Sequence, residues 1–182
     1  MRASEIAQCV EQFVDEGDEA AHKSKELVLM LLECAPTPFS RDHFTPGHIT
    51  GTAVVLNPSK QKILLVHHRR LDRWLLPGGH VESTDLDVAA TARREALEET
   101  GVDLVPEQSP LLVGIDVHGI PAKGREPYHL HHDLVFSFVA RSEKLQGSEE
   151  TRAVAWCPIS QFGDYDLPSS IRRSALRALW GW

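Results

Sequence analysis

The chain reads as an α/β protein, an α/β/α sandwich of helices around a mixed sheet with a helical extension in front of it. Three observations predict this. Helix formers with apolar residues three and four apart fill residues 6–35. Strand-like runs then alternate with one long and one terminal helical stretch. The composition, 42% hydrophobic and 25% charged over 182 residues, is that of one well-packed domain with an added segment.

Taken in order, Leu27, Val28, Leu31 and Leu32 give residues 6–35 a helical apolar stripe, and Glu16-Gly17-Asp18 interrupts it, so two helices are expected. Pro36, Pro38 and Pro46 make residues 35–47 an irregular connector. The expected division is therefore an extension over 1–45 and a main domain over 46–182. Runs at 49–56 and 62–68 flank Asn57-Pro58-Ser59-Lys60, a turn-favouring tetrad, and read as a hairpin. Further strands are expected at 111–118, 128–140 and 152–156, a helix at 86–100 stopped by Gly101, and an amphipathic closing helix at 169–180.

Net charge is −7, which argues against a nucleic-acid partner, because such binding rests on clustered Lys and Arg neutralising phosphates. A free anionic metabolite held through a metal stays open. The first fifteen residues lack the basic-then-apolar order of a signal peptide, and the apolar run at 27–32 is too short to span a bilayer, so no membrane association is expected. Cys9, Cys34 and Cys157 form neither an even set nor a CxxC pair, and a cytoplasmic setting fits.

The informative segment runs from Gly78-Gly79-His80 to Arg93-Arg94-Glu95-Ala96-Leu97-Glu98-Glu99-Thr100-Gly101-Val102. At about 100° per residue, Glu95, Glu98 and Glu99 share roughly a third of the helix circumference. Like charges so placed repel. A cation is the natural counterweight, and hard oxygen ligands suit Mg²⁺ or Mn²⁺ better than Zn²⁺. The plainer reading is a solvated face with Arg93 and Arg94 as partners, since all these residue types favour helix. The glycine turn ahead, where backbone can approach a ligand closely, and the glycine stop behind favour the metal.

Gly79 to Val102 resembles the Nudix box, with the pattern G-x5-E-x7-R-E-aliphatic-x-E-E-x-G-aliphatic. Arg94, Glu95, Glu98, Glu99, Gly101 and Val102 fall in their places. Asp85 stands where the pattern has Glu, one extra residue precedes Arg94, and Ala96 replaces a bulkier aliphatic. Asp85 could instead cap the helix N-terminus. The resemblance implies a Nudix-like fold, with Glu95, Glu98, Glu99 and the Gly79 carbonyl as metal ligands. Arg94 would hold a glutamate in place, and the bound ion would activate a water for attack on phosphorus. Family members often use a further glutamate outside the box as ligand or base. Glu149 and Glu150 are the candidates here, with Glu150 favoured by its nearness to the next strand.

Outside the box, His67-His68-Arg69-Arg70 with Arg73 could present Arg69 and Arg70 to phosphates, or be a solvated strand end. Trp74 beside Leu75-Leu76 is more often core than a base-stacking platform. His129 and His131 would share a strand face, yet no third ligand at diagnostic spacing supports zinc. His80, His118 and His131 are instead expected to line the substrate pocket opposite the carboxylate helix.

The expected function is Mg²⁺-dependent hydrolysis of a phosphoanhydride in a small nucleotide-like substrate, a nucleoside diphosphate linked to another moiety. A catalytically silent binding or regulatory module and an isoprenoid diphosphate isomerase share the fold. The intact carboxylates argue against the first, and the lack of a cysteine in a suggestive motif against the second. Residues 1–45 could cap the domain, cover the pocket or form a homodimer interface.

Overall fold

The computed structural model describes residues 1–15, 17–106, 109–149 and 151–180. Two helices come first, α1 (Ala3–Gln12) and α2 (Glu19–Cys34). Asp18 caps α2, its side chain accepting the Ala21 amide at 3.2 Å. The same carboxylate receives Arg173 at 2.6 Å and Arg177 at 3.1 Å, tying the start of α2 to the closing helix α4 (Ser169–Trp180).

Between them lie β1 (Gly47–Leu56), β2 (Lys62–His68), β3 (Arg73–Leu75), β4 (Gly78–His80), α3 (Val88–Thr100), β5 (Leu111–Ile120), β6 (His129–Val139) and β7 (Thr151–Pro158). The strands form one mixed sheet in the order β3-β2-β1-β6-β5, with β4 also on β1 and β7 on β2. β1 and β6 run parallel, from Gly47 opposite Leu130 to Leu56 opposite Val139, and the other pairs are antiparallel.

Period-two alternation along β1 feeds two cores. Ile49, Ala53 and Val55 turn to one face and pack with Val28 and Leu31 of α2 and with Val88 and Ala92 of α3. Val54 and Leu56 turn to the other, with Ile63, Leu65 and Ala175 of α4. Each fully buried Val, Leu or Ile contributes roughly 1.5–3 kcal/mol. Helices on both faces of a mixed sheet are the expected sandwich, and α1 and α2 share the core that β1 builds with α3.

Three details differ from expectation. The Asn57 turn forms, with its side-chain oxygen accepting the amides of Gln61 and Lys62, but β1 and β2 pair at Leu56 and Ile63 and then part. The long parallel ladder claims β1 for β6, and β2 runs along β7 instead. Second, α3 starts at Val88, because the Asp87 carboxylate accepts the Ala90 amide at 2.7 Å, and Leu86 stays exposed. Third, the glycine turn is itself a strand, β4, and residues 73–75 form β3. Gly101 ends α3 with φ of 62°, the left-handed conformation that favours glycine. Among the described residues, no helix is long and apolar enough to cross a membrane.

Candidate active site

The carboxylate helix meets the sheet at β4. Gly79 lies opposite Gly51 of β1 and presents its bare Cα to α3. A Cβ there would stand 2.4 Å from Glu95 Oε1, so glycine alone lets this carboxylate reach the strand. One residue earlier, the Gly78 amide donates to Glu99 Oε2 at 3.2 Å, which holds the buried Glu99 against the sheet.

Arg94 organises the rest. Nη1 donates to Glu95 at 2.9 Å and to Glu98 at 3.0 Å, Nη2 donates to the His80 carbonyl at 2.8 Å, and Nε and Nη2 clasp Asp85 at 3.2 and 3.1 Å. In the structure the repulsion among the carboxylates is thus answered by a guanidinium whose planar fork spans several acceptors. Arg93 points elsewhere, over the Phe138 ring at 5.1 Å. The Asp85 side chain, 5% exposed, also accepts the Glu82 amide and the Thr91 hydroxyl. It is therefore no helix cap; Asp87 takes that place. Burial pushes the Asp85 carboxyl up, but Arg94, the Glu82 amide and Thr91 together hold it below its ordinary value, and Asp85 in turn raises Arg94.

The opposite face of the same strands carries histidines. His48 on β1 lies opposite His131 on β6, which lies opposite His118 on β5. Two residues further along that face, Thr50 lies opposite both His80 and Asp133. The Thr50 hydroxyl donates to the Asp133 carboxylate, and burial raises the Asp133 pKa. Burial also lowers the imidazoles: His48 and His80 fall, the latter to about 4, and His131 to about 2. His118 goes the other way, raised chiefly by its hydrogen bond to Asp116 at 3.1 Å.

Both faces open into one groove of 1610 Å³. Gly79, Arg94, Glu95, Glu98 and Glu99 line it, and so do His80, His118 and His131. Arg69 and Arg70 lie on its wall, with the Arg69 guanidinium within 3.5 Å of the Thr151 carbonyl. Glu149 also borders it, whereas Glu150 lies outside the described residues. Trp74 packs edge-on against His67 and Tyr165, as a core aromatic does. Among the described residues none of the three cysteines borders the groove, which leaves the isomerase reading without its thiol.

Sequence reasoning missed His48, Arg41 and Asp116. His48 stood just ahead of the expected strand, and Arg41 lay in the proline-rich connector yet borders the groove. A search for local spacing around His129 and His131 could not have found His48 and His80, because these imidazoles come from neighbouring strands. His48, His80 and His131 bring ligand atoms all within 4.8 Å of one another; among the described residues no carboxylate trio is so tight.

The fold that carries this site, a mixed sheet between helices, is shared with Nudix hydrolases of known structure. A hydrolase of the NUDIX family from Clostridium perfringens superposes with a TM-score of 0.54 at 22% identity, covering 72% of this chain and 95% of that one. The NUDIX domain model matches residues 47–178, and the chain belongs to the Nudix family. It is 41% identical over 67 residues to an m7GpppN-mRNA hydrolase of Danio rerio, covering 34% of this chain and 22% of that protein. It is 26% identical over 163 residues to a CMP-5'-(N-acetyl-N-hydroxy-3-aminopropyl)phosphonate hydrolase of Streptomyces rubellomurinus, covering 82% and 71%. The chain spans 38% and 22% of the length of the first curated relatives it matches.

Proposed function

We propose that the chain is a Mg²⁺-dependent pyrophosphohydrolase that cleaves a phosphoanhydride in a nucleoside diphosphate linked to another moiety. The observation that carries this is the seating of Glu95 on Gly79, with Arg94 holding Glu95 and Glu98 together. Such an assembly of oxygen donors fits Mg²⁺, or Mn²⁺ in its place, with Glu95, Glu98, Glu99 and the Gly79 carbonyl as the groups that would hold it. A bound ion there would neutralise the diphosphate and lower the pKa of a coordinated water.

The chain's own groups do the rest. Glu98, the most exposed of the three glutamates, is the one assigned to the reacting atoms, and Arg94 is a positioning residue that holds its two neighbours. Glu150 is proposed as general base from its place in sequence beside Glu149. Arg69 and Arg70, with Arg41, give phosphates positive partners along the groove, and His80, His118 and His131 line its far wall. The groove exceeds the roughly 300–1,000 Å³ of ordinary small-molecule pockets, room for a nucleotide and an appended group. The relatives' names, a CMP-linked phosphonate hydrolase and a cap hydrolase, both describe nucleotides joined to something else. Net charge −7 favours the small molecule over long RNA. Residues 1–45 are proposed as an extension to a domain at 46–182, available to cover the groove or to pair with a second copy. Three free cysteines fit a reducing cytoplasm.

The test is mass-spectrometric product analysis with wild type and Glu98→Gln, given Mg²⁺ or Mn²⁺ and a panel of nucleoside triphosphates, nucleotide sugars, ADP-ribose and dinucleoside polyphosphates. Metal-dependent cleavage lost in the variant supports the proposal and names the substrate class. If wild type cleaves nothing with either ion, the binding-module reading replaces it.

A further inference from the structure

We propose that His48, His80 and His131 form a second metal centre, a three-histidine Zn²⁺ site on the face of β4 turned away from the carboxylate helix. This goes beyond the hydrolase reading and does not rest on it. Register builds the site. β1 brings His48 opposite His131 and, two residues on, Thr50 opposite His80, so three adjacent strands project imidazoles from one side of the sheet. Ring centroids are 4.9 Å apart for His48 and His131, 5.0 Å for His48 and His80, and 5.1 Å for His80 and His131. The nearest ligand atoms already lie within 4.8 Å of one another. Zn–N bonds of about 2.0–2.1 Å in a tetrahedron require roughly 3.3 Å between nitrogens, a contraction that small side-chain rotations supply.

His48 carries an independent mark of a ligand. It is 1% exposed, its Nδ1 lies 3.2 Å from the His43 carbonyl, and its buried Nε2 has no hydrogen-bond partner. A proton on Nδ1, donated to that carbonyl, leaves a lone pair on Nε2. This is how metal-ligating histidines are oriented and their tautomer chosen. His43 is itself anchored, its Nδ1 2.7 Å from the Gly47 carbonyl. His129 stacks on His48 at 5.1 Å and Phe44 packs on His129, a dry wall behind the ligand.

The donor set selects the ion. Imidazole suits Zn²⁺ and its first-row neighbours, whereas Mg²⁺ takes oxygen donors and stays with the carboxylates. Three protein ligands would leave a fourth position open, and His80 and His131 border the groove that Glu98 also lines. The trio brings no carboxylate of its own, so the ion's charge is met there by a water or an anionic ligand oxygen.

The test uses the full chain stripped by chelator and titrated with Zn²⁺ calorimetrically, and with Co²⁺ by visible absorption, in a large excess of Mg²⁺. The site predicts one equivalent of Zn²⁺, visible bands of low-coordinate Co²⁺, and a loss of affinity of at least about tenfold in His48→Ala and in His80→Ala. His80 is only partly buried, so its variant keeps the test informative if His48→Ala does not fold. Glu98→Gln keeps both the stoichiometry and the spectrum. No Zn²⁺ uptake under Mg²⁺, or uptake abolished by Glu98→Gln and untouched by His80→Ala, overturns the proposal.

Discussion

Gly79 and His80 are neighbours on one short strand, and the surroundings they face hold ligand-like groups together by opposite means. On the Gly79 side, Asp85, Glu95 and Glu98 are brought together by a permanent cation, Arg94, whose donors reach all three. On the His80 side, His48, His80 and His131 gather as neutral imidazoles, because burial lowers their pKa. Charge compensation tolerates solvent and gathers oxygen donors of the kind a hard cation takes. Desolvation leaves lone pairs ready for a softer one, but only while the protons stay away.

That contrast is sharpest against pH, where the largest effect is expected. The folded-state pKa values of His80 and His131, about 4 and about 2, lie below the ordinary 6.5, so the unfolded chain binds more protons in between. Stability of the metal-free protein should therefore fall as pH drops from 6.5 through about 4, with His48 and His132 adding in the same direction. His118 opposes this modestly: its raised pKa makes its contribution complete at low pH and lost as pH rises through its folded value. The Arg94 cluster behaves differently. Asp85 is depressed below 3.8, so its contribution is kept until pH falls into that lower range. Thermal unfolding followed across the two windows separates the faces; a flat profile from 6.5 to 4 would remove the histidine half of the comparison.

Arg94→Ala breaks the other half. It leaves the nearly buried Asp85 and Glu95 without their cation and should cost about 3–5 kcal/mol in denaturant unfolding. A loss below about 1 kcal/mol would rank the cluster with surface ion pairs. Thr50→Val deprives the buried Asp133 carboxyl of its hydroxyl partner and should cost about 1–3 kcal/mol by the same assay. Gly79→Ala is expected to cost least, about 1 kcal/mol, because the crowded atom is the movable end of Glu95. Calorimetric Mg²⁺ affinity should nevertheless drop clearly in that variant, which distinguishes a displaced ligand from a destabilised fold.

The two faces also differ in how much of them a sequence can reveal. Glu95, Glu98 and Glu99 lie on one helix, where spacing alone sets direction, and Gly101 marks its end, so their common side of α3 was legible. His48, His80 and His131 stand on three strands, and nothing local says that β1 pairs with β6 in parallel and with β4, beyond two intervening strands of the chain, in antiparallel. The three-residue strands β3 and β4 are too short to show a period. For Asp85 the cap offered as an alternative is excluded for a related reason. Its partner Arg94 lies nine residues on, and Asp87 is as good a cap.

The central claim, that the carboxylate face directs water to a phosphorus of a nucleotide diphosphate, is tested most directly by hydrolysis in ¹⁸O-labelled water. The products would be followed by ³¹P NMR for wild type and Glu98→Gln with Mg²⁺. An isotope-shifted phosphoryl signal that requires Mg²⁺ and disappears in the variant is predicted. Cleavage that leaves no label on phosphorus, or that runs equally fast in Glu98→Gln, would contradict it.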